Sequence, residues 1–476
     1  MILALAVAAV AFAIRLLVAE YLPVIHPDGV AYVAIARQFQ STGSPFDPMF
    51  HPIYPICIAL AQPVVGDWEA AGRLVSALFG ALVIVPSFVL ARGIVGRQAA
   101  LLSAVFIAVH PRLVQNSASV LCEATYTLLL VSGVLAARRG LVAGPRTLIA
   151  FAGLCLGLAY LVRPEGALYL VGLIAVALFM IATGRDRAAA LLPWVGAAVL
   201  VFAAVVAPYV WYLSEAWGHF TLSGKIDHNL PLATGAAGAP SPLPIRILEN
   251  VLLFQKYAVP DLLPWILLLL VLPGLLARAR TSGWLGRDAI LLAAALPPFA
   301  SLAFHVEPRI FLPILPFVLP FAAVGTLWAA VTLTDARRGW RWSVALALVV
   351  ALVLVPWTLQ PILRPDAGAA LYRQAARWVA ETQPRDAVLL DRKPLVAFYS
   401  ERRWVPLPRV GPDELLATAR RAGARLVVLD SREFLFDRPG LIPLLWGPPP
   451  PGLDVLRDFD AAPADRLRIL MVSERG

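Results

Sequence analysis

The sequence predicts a polytopic α-helical membrane protein that ends in a small α/β domain. The 476-residue chain is 60% apolar and only 15% charged, and its mean hydropathy is +0.76, values too apolar for a soluble globular protein. Apolar runs of membrane-spanning length recur up to about residue 361, whereas the composition from Arg364 onward is that of a soluble domain. We therefore expect a membrane domain, 1–363, followed by a C-terminal α/β domain, 364–476.

The apolar runs predict about eleven transmembrane helices. A bilayer core of about 30 Å requires roughly 20 apolar residues in a helix. Prolines inside several runs are compatible with this, because neighbouring helices can satisfy the carbonyls that a kink frees. The predicted spans are 1–19, 74–91, 98–111, 117–137, 147–162, 166–183, 188–212, 260–277, 288–304, 310–332 and 342–361.

The basic residues predict the orientation of the chain. A net charge of +10 would favour a nucleic-acid partner in a soluble protein, but here the arginines concentrate in alternate short loops between spans. The positive-inside rule makes these loops and the N-terminus cytoplasmic and the C-terminal domain extracytoplasmic, in the cell (inner) membrane. We expect no nucleic-acid partner. The arginines are Arg92, Arg97, Arg138, Arg139, Arg146, Arg185, Arg187, Arg278, Arg280, Arg287, Arg337, Arg338 and Arg341.

Two long segments, 20–73 and 213–259, fall on the predicted outer face, and loops of this length in a compact protein are usually functional. The first is expected to contain a helix at headgroup level, from about Gly29 to Gln40. The second carries Lys225, Asp227 and His228 ahead of a Gly-, Ala- and Pro-rich stretch. That composition suits a mobile loop that orders when substrate binds.

Asp28 is the leading candidate for chemistry in the first long segment. It follows the first predicted span, where lipid and water meet. A carboxylate flanked by apolar helices loses hydration, so it accepts a hydroxyl proton more readily than a solvated acid. This placement suggests an enzyme acting on a lipid-borne substrate. The alternative, compatible with catalysis, is that Asp28 caps a helix beginning at Gly29.

The C-terminal domain shows alternating helix and strand patterns, with strands expected at 387–391, 404–405, 425–430 and 467–472 and an irregular tail from Pro448 to Pro451. It contains no glycine-rich phosphate loop and no catalytic acid pair, so we expect it to shape acceptor entry. The three cysteines, Cys57, Cys122 and Cys155, have neither disulfide-framework nor metal-ligand spacing. No cofactor is indicated, and a divalent metal ion stays an alternative.

A series of short motifs is distributed along the chain. They are Asp28-x-x-x-Tyr32, His51-Pro52-Ile53-Tyr54-Pro55, Leu121-Cys122-Glu123-Ala124, Leu161-Val162-Arg163-Pro164-Glu165-Gly166, His305-Val306-Glu307-Pro308-Arg309 and Phe398-Tyr399-Ser400-Glu401-Arg402-Arg403. Their order resembles the GT-C superfamily of polyprenyl-phosphate-sugar-dependent glycosyltransferases. The likeness is closest to bacterial members related to protein O-mannosyltransferases and lipid A aminoarabinose transferases. Many members carry two adjacent acids in the first outer loop, whereas glycine follows Asp28 here.

The resemblance implies a hexosyl- or pentosyltransferase of the extracytoplasmic face. Such an enzyme moves a sugar, with inversion, from a polyprenyl-phosphate donor to a hydroxyl of a lipid, protein or glycan acceptor. Asp28 would be the catalytic base. Arg309 would neutralise the departing phosphate, the alternative being an interfacial anchor. Arg163 would be a second phosphate ligand, the alternative being a salt bridge with Glu165.

Glu123 is expected at membrane depth, where burying an ionisable group is costly and therefore points to function. It could hold a sugar hydroxyl, orient an arginine or help to bind a divalent ion, or it could be a structural partner for Arg163. His51 could hydrogen-bond sugar or phosphate, or be structural. The remaining predicted substrate-binding residues are Tyr32, Tyr54, Glu165, His305 and Glu307.

Two other classes of protein fit the composition. A secondary transporter also has many kinked helices, but its polar sites lie near the bilayer midplane and internal repeats are common. Here the candidates gather at predicted outer helix ends and no repeat is evident. A non-catalytic glycan-binding membrane protein of the same fold is the second alternative.

Overall fold

The computed structural model describes residues 1–142, 144–183, 188–225, 242–282, 289–303, 306–333, 339–432, 434, 438–462 and 465–473. The chain forms two compact units. The helical unit comprises Met1–Ala19 and Tyr32–Gln360, and the sheet unit comprises Glu20–Ala31 and Pro361–Gly476. The predicted combination of a largely helical body and a small α/β portion is therefore observed, with the short segment 20–31 grouped with the sheet unit.

In the described residues, seventeen α-helices lie between the N-terminus and Thr358. Short 3₁₀ segments lie at Ala188–Leu191, Pro297–Ala303 and Pro308–Ile314, and a π-helical segment lies at Phe254–Ala258. The helices are α1 (Ile2–Tyr21), α2 (Pro27–Thr42), α3 (Ile53–Val65), α4 (Trp68–Leu82), α5 (Ile84–Val95), α6 (Arg97–Val109), α7 (Pro111–Ala118), α8 (Glu123–Val142), α9 (Thr147–Tyr160), α10 (Gly166–Ala182), α11 (Leu192–Trp217), α12 (Leu243–Leu253), α13 (Val259–Leu262), α14 (Trp265–Ser282), α15 (Ala289–Ala295), α16 (Leu315–Leu333) and α17 (Gly339–Thr358).

Each predicted apolar run coincides with one or more helical segments in the described residues, and the runs 117–137 and 260–277 are each divided between two helices. Six helices there are long and apolar enough to cross a membrane, and a seventh is added if the pair Leu243–Leu262 and Trp265–Arg280, bent by 100°, counts as one span. Shorter apolar helices of 10–17 residues occupy the remaining predicted runs. The fold class is as predicted, and the count of about eleven spans stays a prediction.

Helices α14 and α16 pack unusually closely through two glycines. A Cβ atom on Gly274 would overlap the carbonyl oxygen of Phe321, and one on Gly325 would overlap that of Leu270. Glycine at both positions lets the two backbones meet, which is how membrane helices gain van der Waals contact without a hydrophobic driving force. This pair forms part of the framework around the 3₁₀ segment Pro308–Ile314, which leads directly into α16.

The sheet unit contains one five-stranded sheet in the order β2-β1-β3-β5-β4. Strands β1 to β3 are parallel, and β5 runs antiparallel to β3 and to β4. Its core includes the wholly buried Leu390, Val427 and Leu470. The elements are α18 (Gln360–Leu363), which begins at the last residue of the helical unit, α19 (Ala367–Thr382), β1 (Val388–Asp391), α20 (Leu395–Ser400), β2 (Arg403–Pro406), α21 (Pro412–Arg421), β3 (Leu426–Asp430), α22 (Pro443–Trp446), β4 (Leu453–Ala462) and β5 (Asp465–Val472).

Sequence analysis placed four of these strands and missed β4. That strand contains Asp454, Arg457, Asp458 and Asp460, and it pairs with β5 through a register shift between Val455 and Arg457. Because acidic residues disfavour strands and the shift breaks the simple alternation, the pattern that identifies a strand is weak there.

The segment Glu20–Ala31 is fixed within the sheet unit by contacts to α19 and α20. The Ile25 N–H donates to the Tyr399 hydroxyl at 2.8 Å. The Arg373 guanidinium donates to the Pro23 carbonyl and lies 4.2 Å from the centre of the Tyr399 ring. These contacts hold the chain immediately before Asp28.

Candidate functional site

Glu123 is the first residue of α8 and is only 2% exposed. It is presented by a strained turn, because Val120 has φ = 55° although it is not glycine, a conformation that β-branched residues rarely adopt. Gly72 leaves the space that this turn needs, since a Cβ there would lie 2.6 Å from Val120 Cγ1. The Ser76 hydroxyl also donates to the Leu121 carbonyl at 3.1 Å. The turn before Glu123 is thus held from α4.

Arg163 and Glu165 lie in the tight turn between α9 and α10. The Arg163 N–H donates to the Ala159 carbonyl at 2.9 Å, and the Gly166 N–H donates to the Arg163 carbonyl at 3.1 Å. A side chain on Gly166 would overlap the backbone nitrogen of Tyr160. Glycine at the start of α10 therefore permits the close approach that turns Arg163 inward.

Two guanidinium groups share the Glu123 carboxylate. Arg163 Nη1 donates to Glu123 Oε1 at 2.7 Å, and Arg309 Nη1 lies 3.8 Å from the same oxygen. Each arginine has a second carboxylate: Glu165 Oε1 accepts from Arg163 Nη2 at 2.9 Å, and Glu307 accepts from Arg309 Nε. These five residues, the arginine–glutamate cluster, join α8, the α9–α10 turn and the 3₁₀ segment Pro308–Ile314.

The electrostatics of the cluster favour the charged forms of Arg163 and Glu165. Burial opposes the charge of Arg163, but Glu165 and Glu123 outweigh it and hold the pKa of Arg163 above its usual value. Burial likewise opposes the charge of Glu165, and Arg163 nevertheless lowers the pKa of that carboxyl. Two ion pairs were considered as alternatives to phosphate binding by Arg163, one with Glu165 and one with Glu123. Both are present.

Tyr32 and Tyr54 lie together in the helical unit, with ring centres 4.9 Å apart in an edge-on arrangement. The Tyr32 hydroxyl donates to Cys122 Sγ at 3.1 Å, beside Glu123 in sequence. The Tyr54 side chain is wholly buried, and its hydroxyl lies 2.6 Å from Ser76 Oγ. Tyr54 thus supports the turn that presents Glu123, and direct substrate binding by either tyrosine stays a prediction.

His51 is buried between Tyr160 and Tyr209, with ring centres 5.3 and 4.9 Å away. Neither imidazole nitrogen has a hydrogen-bond partner among the described residues. Burial lowers the pKa of His51 to about 3, although Glu165 opposes this and Lys225 adds to it. The imidazole is therefore neutral at physiological pH, so it can donate or accept one hydrogen bond but offers no positive charge to a phosphate.

The chain before His51 is held by hydrogen bonds from α11 and by a contact from Lys225, which follows α11. The Tyr209 hydroxyl lies 3.1 Å from the Asp47 carbonyl and 3.3 Å from the Phe50 carbonyl, and Trp217 Nε1 donates to the Pro48 carbonyl at 3.3 Å. Lys225 Nζ lies 4.1 Å from the centre of the Phe50 ring. The described beginning of the second long segment is therefore packed against the first.

Asp28 belongs to the sheet unit. Helix α2 begins at Pro27, so Asp28 lies inside its first turn rather than at the cap before Gly29. A carboxylate in a first turn is favoured by the helix dipole. The Asp28 N–H donates to His26 Nδ1 at 3.1 Å, so that nitrogen acts as an acceptor toward Asp28. The Asp28 side chain is 22% exposed and can reach solvent.

Three of the residues singled out in the sequence, His305, Asp227 and His228, lie outside the described residues. In the described part of the chain, no three His, Cys, Asp or Glu side chains come together in a group able to hold a metal ion. The described residues thus offer no donor set that fits a divalent ion. Sequence analysis missed Val120, Gly72 and Ser76, because the turn they build is visible only in three dimensions.

Comparisons with known proteins agree with this architecture. A family model described as dolichyl-phosphate-mannose-protein mannosyltransferase matches residues 47–212. No curated protein sequence matches the chain. Among solved structures, the chain is similar to ArnT from Cupriavidus metallidurans bound to undecaprenyl phosphate, with 16% identity, a TM-score of 0.65 and coverage of 99% of this chain and 98% of that chain.

Two further structures are similar. The Archaeoglobus fulgidus oligosaccharyltransferase shares 15% identity and a TM-score of 0.61, with 90% of this chain and 68% of that chain covered. The arabinofuranosyltransferase AftD from Mycobacteria shares 16% identity and a TM-score of 0.52, with coverage of 98% and 40%. The fold is therefore that of polytopic GT-C membrane proteins, and the resemblance that the sequence motifs predict is confirmed.

Proposed function

We propose that this protein is an inverting membrane glycosyltransferase that takes a sugar from a polyprenyl-phosphate donor. The observation that carries the proposal is the sharing of one buried carboxylate, Glu123, by two arginines, Arg163 and Arg309. Guanidinium groups bind phosphate oxygens through paired hydrogen bonds. Holding both with a common carboxylate fixes their positions before the substrate arrives, as preorganised electrostatic stabilisation requires.

The reaction follows from the charge that these arginines can stabilise. The acceptor hydroxyl attacks the anomeric carbon, a new carbon–oxygen bond forms, and the bond from that carbon to the phosphate oxygen breaks. The hydroxyl proton passes to Asp28, and the bonding pair leaves with the lipid phosphate, which gains a second negative charge. Arg163 and Arg309 favour the leaving phosphate over the singly charged donor, so they lower the barrier.

The comparisons support the lipid-phosphate donor. The C. metallidurans ArnT structure contains undecaprenyl phosphate, and an archaeal oligosaccharyltransferase from A. fulgidus was solved with an inhibitory peptide and a dolichol-phosphate. A polyprenyl-phosphate sugar is therefore the donor class we propose. The acceptor is proposed as a hydroxyl of a lipid, protein or glycan, and the site is proposed to face the extracytoplasmic side of the cell membrane.

The remaining residues take supporting roles in this proposal. Tyr32 and the neutral His51 are proposed to contact the sugar, His51 because its two nitrogens have no partner in the described residues. The predicted substrate-binding roles of Glu165 and Glu307 become roles in orienting Arg163 and Arg309. The secondary-transporter alternative is disfavoured because these charged residues lie at helix ends rather than in the middle of a long helix.

The test is turnover with defined donors. Purified protein in nanodiscs is incubated with a panel of polyprenyl-phosphate sugars and an extract of acceptors, and release of the lipid phosphate is measured. We expect release with at least one donor, and Arg309→Gln should abolish it. Arg112→Gln is the control, because Arg112 is likewise an arginine of the helical unit that pairs with a carboxylate, that of Asp261. Absence of release with all donors, or full turnover by Arg309→Gln, would refute the proposal.

A further inference from the structure

Arg15 is a wholly buried arginine in α1, and the proposed reaction does not use it. Its Nη1 donates to the Ala11 carbonyl at 3.0 Å and to the Ala108 carbonyl at 3.2 Å, and its Nη2 donates to the Ile107 carbonyl at 3.4 Å. Ile107 and Ala108 belong to the last turn of α6, whose free carbonyls attract a cation. Capping of α6 therefore accounts for the two terminal nitrogens of Arg15 but not for Nε.

Arg15 Nε and Glu123 Oε2 are both buried without a hydrogen-bond partner among the described residues. Both residues line the same cavity, which has a volume of about 20 Å³ and is also lined by Asn116, Ser117 and Thr127. A space of this size accommodates a water molecule, for which Arg15 Nε and Glu123 Oε2 would be hydrogen-bond partners within a lining that is otherwise mostly apolar. The cavity is thus lined by two residues, one of which carries an orphan donor and the other an orphan acceptor.

The surrounding sequence leaves room for this arrangement. Gly80 of α4 faces the cavity, and a Cβ there would lie 2.9 Å from Arg15 Nε and 2.6 Å from Ser117 Cβ. Any larger residue would displace the guanidinium or Ser117. Glycine at position 80 is therefore needed for Arg15 to lie where it does.

The arginine–glutamate cluster contains more carboxylates than guanidinium groups. Arg163 and Arg309 each have a second carboxylate, so the cluster has three carboxylates and two guanidinium groups. A third positive charge next to Glu123 would make the numbers of positive and negative groups equal. In a buried setting an uncompensated charge is strongly unfavourable, whereas a compensated one stays ionised.

We propose that Arg15 is a positioning residue for the transferase site. One water in this cavity joins Arg15 Nε to Glu123 Oε2, which turns Oε1 toward Arg163 and Arg309. The inference rests on the proposed function for its kinetic test, but the link between Arg15 and Glu123 also has a test of its own that needs no turnover.

The kinetic test is a double-mutant cycle of Arg15→Met and Glu123→Gln. We expect Arg15→Met to lower kcat about 10- to 100-fold. A decrease of this size is typical when a residue is lost that orients a side chain in direct contact with the substrate. The donor KM should change less, because the arginines act most strongly on the doubly charged leaving phosphate. In the Glu123→Gln background the same change should lower kcat less than about 3-fold. An equal loss in both backgrounds would overturn the proposal and leave Arg15 as a cap of α6.

Two variants separate positioning from folding. Arg138→Met is the matched control, because Arg138 Nη2 caps the Gly93 carbonyl of α5 at 2.8 Å; it should lower the unfolding temperature but leave kcat unchanged. Arg15→Lys keeps the charge and should recover most of the kcat lost in Arg15→Met. If Arg15→Met does not fold, Gly80→Ala takes its place in the cycle, and an equal kcat loss with and without Glu123 would again refute the idea.

The turnover-free test is the same cycle read by thermal unfolding in nanodiscs. If Arg15 acts on Glu123, the decrease in unfolding temperature of the double variant should be smaller than the sum of the decreases in the two single variants. Strict additivity would overturn the link. A wild-type protein that turned over no donor would refute the proposed function alone, because the unfolding cycle would still decide the relation between Arg15 and Glu123.

Discussion

Glu123 and Arg163 are joined by a hydrogen bond of 2.7 Å across 40 positions of sequence. The contact locks the first turn of α8 to the turn between α9 and α10, and Arg309 approaches the same carboxylate from a third segment. A single buried acid thus sets the distance between the two proposed phosphate-binding groups.

Removal of the Glu123 charge should cost both stability and activity. Glu123→Gln breaks a buried ion pair and leaves Arg163 with one carboxylate fewer, so we expect a loss of about 3–5 kcal/mol in the free energy of unfolding together with a lower but measurable kcat. Glu69→Gln is the control, since Glu69 pairs with Arg73 one turn along α4. Denaturation in detergent measures the effect, and equal stability of the two variants would contradict the prediction.

Asp28→Asn tests the proposed base. The amide keeps the size of the side chain but cannot take the hydroxyl proton, so kcat should fall about 10²- to 10⁴-fold while the donor still binds. Asp67→Asn is the matched control, because Asp67 caps α4 through a 2.8 Å bond from the Ala70 N–H and asparagine caps equally well. Full turnover by an Asp28→Asn protein that inserts normally would show that Asp28 is not the catalytic base.

Tyr399→Phe should act on the Asp28 segment from within the sheet unit. It removes the hydroxyl that accepts from the Ile25 N–H and leaves the ring on which Arg373 lies. A net hydrogen bond of about 1 kcal/mol is lost, and we expect faster hydrogen exchange at residues 20–31 with a severalfold lower turnover. Unchanged exchange at those residues would show that Arg373 suffices to hold them.

The buried neutral His51 predicts acid sensitivity. Its folded pKa, about 3, lies below the unfolded value near 6.5, so the unfolded chain binds the extra proton first. The stabilising contribution is complete above pH 6.5 and declines as the pH falls toward 3. The unfolding temperature of the wild type should therefore drop between pH 6.5 and 4, and His51→Gln should flatten that drop. A wild-type curve parallel to the variant would contradict this.

Gly72→Ala should be destabilising although alanine usually favours helices. The added Cβ would lie 2.6 Å from Val120 Cγ1, so it presses on the strained turn before Glu123 and should cost about 1–3 kcal/mol. Gly196→Ala, in α11, is the control, because nothing lies within 4 Å of its added Cβ and the helix should gain roughly 0.5–1 kcal/mol. We expect Gly72→Ala to lower the unfolding temperature and Gly196→Ala to raise it.

Periodicity and composition predicted the helical body, the positions of the apolar helices and most of the sheet, because these depend on patterns along one segment. The motifs also identified Glu123, Arg163 and Arg309, which the structure brings together. Arg15 left a signal that was overlooked, since an arginine inside an apolar run is costly. The φ of Val120 and the role of Gly72 could not be predicted, because they depend on packing between α4 and a distant turn.

The grouping of residues 20–31 with the C-terminal sheet has a practical outcome for engineering. A truncation after Gln360 would not yield a self-sufficient membrane half: it would deprive the stretch bearing Asp28 of Tyr399 and Arg373, its anchors. Chimeras that exchange residues 361–476 with those of another protein would lose the same contacts unless residues 20–31 are exchanged together with them.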